Sequence, residues 1–268
     1  MSIILVTALF ALALAFAVGV ILGFFKELFS VPEDPTVTKI REVLPGANCG
    51  ACGYPGCESF AVAVVEGSAK PSACTVGGQS TAEKVAAITG GEAGKVEETV
   101  AILACQGSSI HTKFKGTYTG IKTCRGAKIA GGTKLCSWGC LGFGDCLNVC
   151  QFGALSLEKN DLPKVDFKKC TGCGLCVSEC PMDLFQLTAR NQKGAIVLCA
   201  NKNPVKQQVA KTCRISCFKC GLCVRSCPEN CINLETHIPV VDYSKCNSCR
   251  LCVEKCPSKV FKLIEELV

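Results

Sequence analysis

The sequence predicts an α+β protein: a single N-terminal transmembrane helix, a small cysteine-rich module, and two small domains related by duplication. Three observations carry that reading. A charge-free run fills residues 3–25, the 268 residues include 25 cysteines set in regular runs, and the C-terminal half repeats itself at a spacing of 76–77 positions.

The charge-free run from Ile3 to Phe25 is 23 residues long. As a helix it spans about 34 Å, enough to cross a bilayer core about 30 Å thick. A cleaved secretory signal fits less well. No Lys or Arg precedes the run, it is longer than a signal core, and no A-x-A-like site comes after it. Residues 1–27 therefore read as an uncleaved anchor in the cell (inner) membrane. Charges begin only at Lys26 and Glu27, then Lys39 and Arg41. The positive-inside tendency puts the remainder of the chain on the cytoplasmic side, where a reducing milieu favours thiolates over disulfides. Gly19 and Gly23 form a G-x-x-x-G step that admits a second membrane helix at close range.

Residues 28–37 carry Pro32 and Pro35 and read as a linker. A compact module comes next over 38–78, then a connector over 79–134. The connector begins polar and partly helical and gains strand character at Val100–Cys105 (VAILAC). The duplication fills the rest, as domains 135–190 and 191–268. Cys136, Cys140, Cys146 and Cys150 recur 77 positions on as Cys213, Cys217, Cys223 and Cys227. Cys170, Cys173, Cys176 and Cys180 recur 76 positions on as Cys246, Cys249, Cys252 and Cys256. VDFKKCTGCGLCVSECP (165–181) and VDYSKCNSCRLCVEKCP (241–257) agree at 10 of 17 positions, and AIVLC (195–199) echoes AILAC (101–105).

The cysteine spacing names the cofactor. Three quartets, at 170–180, 217–227 and 246–256, are complete C-x2-C-x2-C-x3-C-P runs. This is the bacterial 2[4Fe–4S] ferredoxin signature, in which three cysteines bind one cluster and the fourth crosses to the other. Zinc sites pair their ligands in twos and do not generate the triple spacing. By the crossover rule, Cys170, Cys173 and Cys176 share a cluster with Cys150, while Cys180 joins Cys136, Cys140 and Cys146. In the second copy Cys246, Cys249 and Cys252 take Cys227, and Cys256 completes Cys217, Cys220 and Cys223. The first run of the first copy departs from the pattern, as C-x3-C-x5-C-x3-C.

A separate quartet, Cys49, Cys52, Cys57 and Cys74, lies in NCGACGYPGC and beyond, where Gly50, Gly53, Pro55 and Gly56 make a turn able to wrap a cluster. A structural zinc is the alternative there. That makes five [4Fe–4S] clusters. Cys105, Cys124, Cys199, Cys213 and Cys231 remain, with two readings open. They are buried thiols packing as small apolar groups, or four of them (Cys105, Cys124, Cys199, Cys213) hold a sixth cluster. Cys213 could also replace Cys217 or Cys220.

Composition agrees. Aromatic residues are 6% and charged residues 19%, too few for a large core, and cluster binding supplies folding free energy instead. The formal charge of +7 treats every thiol as neutral. Each cluster with its four thiolates carries roughly −2, so about five cancel it, and no nucleic-acid partner is implied by the charge. No G-x-G-x-x-G unit or P-loop is present, and the two histidines, His111 and His237, have no catalytic companions. The chain reads as an electron carrier with no catalytic residues and no substrate-converting site of its own.

The charge-free anchor, then NCGACGYPGC with Cys74, then ferredoxin runs, resembles the B subunits of Rnf complexes along essentially the whole chain. KLCSWGCLGFGDC resembles the longer form with two ferredoxin pairs. The resemblance implies an electron-transfer subunit of an ion-translocating (Na+ or H+) ferredoxin:NAD oxidoreductase, with soluble ferredoxin as donor. It also implies other membrane and flavin subunits as partners. Two related roles stay open: reduction of a redox-sensing transcription factor, and a polyferredoxin subunit of a membrane hydrogenase, which should lack the Cys49–Cys74 module.

Overall fold

The computed structural model describes residues 2–29 and 34–267; the middle of the 28–37 linker lies outside the described residues. Helix α1 (Ser2–Leu28) has 27 residues, about 40 Å, and runs past the charge-free stretch to take in Lys26 and Glu27. Its segment Ile3–Leu28 is apolar and long enough to cross a membrane, and no part of it is buried in the protein. An apolar helix left bare is costly in water, so a bilayer is the environment that suits it.

The module is a three-helix cap. Helix α2 (Pro35–Val43) opens with proline at N1, and the Asp34 carboxylate accepts from the Thr36 amide at 2.7 Å. Helices α3 (Cys57–Val65) and α4 (Gly78–Thr89) come next. Ile40, Leu44, Phe60, Ala61, Val64 and Val85 close a small apolar core that includes Cys74.

Strand β1 (Thr99–Leu103) leads into a long loop, then helices α5 (Cys124–Ile129) and α6 (Asp145–Asn148). Strands β2 (Leu155–Leu157) and β3 (Pro163–Val165), helix α7 (Leu175–Glu179) and strand β4 (Phe185–Ala189) complete the first unit. The second runs through β5 (Ala195–Val197), α8 (Lys206–Thr212), α9 (Leu222–Arg225), β6 (Ile232–Asn233), β7 (Val240–Val241), α10 (Leu251–Lys255) and β8 (Phe261–Leu263).

All sheets among the described residues are two-stranded and antiparallel: β1 with β4, β2 with β3, β5 with β8, β6 with β7. The duplication is thus visible as topology, with β1-α6-β2-β3-α7-β4 repeating as β5-α9-β6-β7-α10-β8. Strand β1, which the sequence places in the 79–134 connector, belongs to the first unit's sheet, with Ala101 opposite Leu187. Its strand character is legible locally, but its partner lies some eighty residues away.

The two units are packed together. Ile196, Leu198 and Ile264 of the second share one core with Val100, Ile102, Phe167 and Phe185 of the first. The loop after β1 lies along the second unit. Cys105 bridges Cys199, Thr112 bridges Cys213, and the Arg214 amide donates to the His111 carbonyl at 3.0 Å.

Candidate metal centres

The C-x2-C-x2-C runs form by turning left-handed at fixed places. The residue before the second cysteine has positive φ in all three: Gly172 (+67°), Lys219 (+54°) and Ser248 (+62°). So does the residue opening each following helix, namely Gly174, Gly221 and Arg250. Alternating left- and right-handed residues curl the backbone so that amides and three sulfurs face one concavity. At Gly172 glycine is obligatory, because a Cβ there would stand 2.3 Å from Thr99 Oγ1 and 2.5 Å from the Thr99 carbonyl on β1.

The structure gathers the cysteines into six groups of four. In the module, burial raises the Cys74 thiol, opposed by the Gly77 amide and reinforced by Cys52, Cys57 and Cys49. Cys57 opens α3, held there by its amide donating 2.8 Å to Asn48 Oδ1. In the first unit burial, then Cys170 and Cys173 and further Cys150, push Cys176 up to about 12. Cys217, Cys220, Cys223 and Cys256 line one pocket of the second unit. Cys227, Cys246, Cys249 and Cys252 line another, together with Cys231. In these four places the structure brings together the cysteines that the sequence reading assigned to one another.

The remaining two differ from it. Cys140, Cys146 and Cys180 line a pocket with Cys124, not Cys136. Burial, then Cys140, Cys124 and Cys180, raise the Cys146 thiol. Cys124 is fastened at the start of α5: the Thr123 hydroxyl accepts from the Gly126 amide at 3.1 Å, and Asp145 Oδ2 accepts from the Cys124 amide at 2.8 Å. The physical reason lies at position 143. The 77-residue offset puts Phe143 where the second unit has Cys220, so the first unit has no cysteine at that place, and α5 brings Cys124 to the pocket instead.

Cys136 faces elsewhere, into a pocket with Cys105, Cys199 and Cys213. Burial, then Cys105, Cys213 and Cys199, push its thiol up to about 11. This group sits between the units and takes two cysteines from each half, Cys105 and Cys136 from the first and Cys199 and Cys213 from the second. All four sulfurs accept hydrogen bonds. Cys105 takes the Gly107 and Cys140 amides (both 3.4 Å), Cys199 the Cys217 amide (3.4 Å), Cys213 the Thr112 hydroxyl (3.5 Å) and Cys136 the Asn201 amide nitrogen (3.6 Å). Cys231 is left over, its sulfur 3.3 Å from Cys227 Sγ. Burial and the hydrogen bond to Cys227 push it up to about 12.

These residues fit an iron–sulfur cluster. Burial makes a bare thiolate unfavourable at one or more cysteines of each group, Cys74, Cys176, Cys146, Cys136, Cys223 and Cys252 among them, so a cation must draw those protons off. Among the described residues no three Cys, His, Asp or Glu side chains converge tightly enough for a single metal ion. A lone zinc needs sulfurs at about 2.3 Å from one point, whereas a cube spreads its corner ligands around a pocket. Lys219 Nζ is buried beside Cys217 and Cys199 without a hydrogen-bond partner among the described residues, a cation suited to a neighbouring anion.

Successive groups adjoin. Cys49 acts on Cys173, Cys176 on Cys146, Cys140 donates its amide to Cys105, and Cys217 donates its amide to Cys199. The last two groups share one core through Cys217, Cys223, Cys227 and Cys246. Only Cys220 and Cys249, both in the second unit, are exposed.

Comparison with known proteins matches three segments of the chain. A family model for an Fe-S cluster matches residues 44–76, a 4Fe-4S binding domain matches 163–185, and a 4Fe-4S dicluster domain matches 216–260. The chain is 46% identical over 230 residues to the B subunit of the Na(+)-translocating ferredoxin:NAD(+) oxidoreductase complex of Acetobacterium woodii, covering 85% of this chain and 68% of that one. It is 36% identical over 248 residues to the B subunit of the ion-translocating oxidoreductase complex of Methanosarcina acetivorans, covering 92% and 93%. It is 37% identical over 230 residues to the B subunit of the proton-translocating ferredoxin:NAD(+) oxidoreductase complex of Clostridium ljungdahlii, covering 85% and 80%.

Proposed function

The chain belongs to the B subunits of ion-translocating oxidoreductase (Rnf) complexes, and we propose that it carries electrons from reduced ferredoxin along six [4Fe–4S] sites to redox partners at the membrane. The observation that supports this best is the exhaustive and consecutive grouping of the cysteines. Six quartets account for all but Cys231, and each adjoins the next.

The line runs from Cys49, Cys52, Cys57 and Cys74 beside the anchor, to Cys150, Cys170, Cys173 and Cys176, then Cys124, Cys140, Cys146 and Cys180. The central quartet comes next, Cys105, Cys136, Cys199 and Cys213. Beyond it are Cys217, Cys220, Cys223 and Cys256, and last Cys227, Cys246, Cys249 and Cys252. When bound, each cluster supplies reversible one-electron chemistry, with a potential set by hydrogen bonds to its sulfurs and by exposure. The protein holds the sulfurs, excludes water and supplies the amide donors.

Electrons arrive at the second unit, where Cys220 and Cys249 reach the surface. They leave through the module, the quartet nearest α1 in the chain, toward membrane and flavin subunits of the complex. The cluster-bearing part lies on the cytoplasmic side, where soluble ferredoxin is found and thiolates survive.

The test is Cys49→Ala in the assembled complex. Ferredoxin-dependent NAD+ reduction should stop while dithionite still reduces the ferredoxin-type sites. Unchanged turnover in that variant sinks the proposal.

A further inference from the structure

Two lysines are buried against the cysteine line, one at each junction of the central quartet with a flanking one. Lys134 is 1% exposed, with Nζ donating 2.9 Å to the Gly107 carbonyl. Its charge acts on both Cys105 and Cys140. Lys219 is 8% exposed, and its charge acts on both Cys217 and Cys199. Cys140 and Cys217 are 77 apart, and Cys105 and Cys199 are the echoed pair. Each lysine therefore stands at one of two symmetric junctions, where the central quartet meets a flanking quartet through an amide-to-sulfur hydrogen bond of 3.4 Å.

Lys219 is held there against three costs. Its φ is +54°, where the equivalent turn at 170–176 uses Gly172. Its side chain is buried, and its Nζ has no hydrogen-bond partner among the described residues. A bulky residue in the left-handed region is strained and persists at functional sites when the surroundings impose it. A buried, unpaired ammonium is costlier still unless an anion stands beside it. Nothing about folding alone calls for a lysine at this position, since glycine and serine make the same turn at Gly172 and Ser248.

We propose that Lys134 and Lys219 are positioning residues that make the central quartet (Cys105, Cys136, Cys199, Cys213) the most readily reduced site in the chain. The inference rests on the six-site reading of the cysteines. Lys134 is hydrogen-bonded to Gly107, whose own amide donates to Cys105, and Lys219 lines the pocket of Cys217, Cys220, Cys223 and Cys256 with its charge reaching Cys199, so the central quartet lies within reach of both cations while each flanking quartet has one. Its four sulfurs also accept five hydrogen bonds from amide and hydroxyl groups. Cations and donors near the sulfurs favour the more negative, reduced state. Each hop moves one electron: the flanking site is oxidised by one, the central site is reduced by one, and no proton is needed. The central site is then where an electron rests between the ferredoxin-facing unit and the membrane-facing unit.

The test is a potentiometric titration followed by EPR on the full-length, cluster-loaded chain. The central signal is identified as the one absent from Cys136→Ser. In the unaltered protein it should appear first on reduction, at the highest potential of the set. Lys134→Met and Lys219→Met should each shift its reduction equilibrium by about tenfold toward the oxidised form, 59 mV for one electron. Lys219→Arg should restore it, and the exposed control Lys206→Met should leave it unmoved. If no signal depends on Cys136, the six-site reading fails and this inference with it. A Cys136-dependent signal that does not lie highest overturns this inference alone, and that result needs no lysine variant to fold. A central potential unmoved in iron-replete methionine variants overturns it equally.

Discussion

The partition of Cys124 and Cys136 between two quartets can be tested by counting iron in a double-variant cycle. Six loaded quartets hold about 24 iron per chain, and removal of one thiolate from a quartet should release about four. Cys124→Ser and Cys136→Ser should each fall to about 20, because each takes a ligand from a different pocket. Combined, they should fall to about 16, since effects at separate sites add. The pair Cys136→Ser and Cys199→Ser shares one pocket and should lose only about four together. The grouping from the spacing rule, with Cys136 beside Cys140 and Cys124 idle, predicts no loss in Cys124→Ser. The assay is anaerobic iron and sulfide quantitation with EPR spin counting on the purified full chain. A complement sharpens it: Phe143→Cys supplies the ligand that the second unit has at Cys220 and should restore iron to Cys124→Ser, at the cost of the ring contact with Tyr118 (centroids 5.5 Å apart), about 1 kcal/mol. Full iron in Cys124→Ser, or a double variant no worse than either single one, refutes the reasoning.

Two further outcomes are set by the geometry. Cys231→Ala should keep about 24 iron, because Cys231 shares the pocket with its sulfur 3.3 Å from Cys227 Sγ but lies outside the C-x2-C-x2-C-x3-C runs; a loss of about four would move Cys231 into the ligand set. Gly172→Ala and Gly153→Ala both force alanine to positive φ, +67° and +58°, costing about 1–2 kcal/mol each. Only Gly172→Ala drives a Cβ into the Thr99 backbone, so it should bleach near 400 nm at a clearly lower guanidinium concentration, and equal midpoints would dismiss the β1 contact as the constraint.

The features legible in the sequence and those hidden from it divide along chain distance. The C-x2-C-x2-C runs are local: their sulfurs converge because residues two and four places after the first cysteine turn left-handed, and Gly172, Gly174 and Gly221 announce it. The helix over residues 3–25 is legible for the same reason, since its signal is contained in its own span. Cys105 is not, because its companions come from a strand pairing across the two units and from a loop laid along the second. The clue is nevertheless present. Setting the copies 77 apart leaves Phe143 opposite Cys220 and Cys136 opposite Cys213, one ligand too few in the first unit and a matched cysteine pair with no site within either copy.

That mismatch explains why the central quartet exists where the units meet. A single copy offers it only two cysteines, either 105 with 136 or 199 with 213, and two thiolates do not complete a cluster. The apolar seam of Ile196, Leu198 and Ile264 against Ile102 and Phe167 brings the two half-sites together. Buried thiols then crowd the seam: burial pushes Cys136 up to about 11 and raises Cys105 and Cys199. Without metal, they would remain protonated and contribute only as small apolar groups. With metal, the binding free energy is spent on holding one unit to the other, because neither contains the site alone. Docking of the two ferredoxin-type units and continuity of the electron path are on this account one event, set by the same four sulfurs.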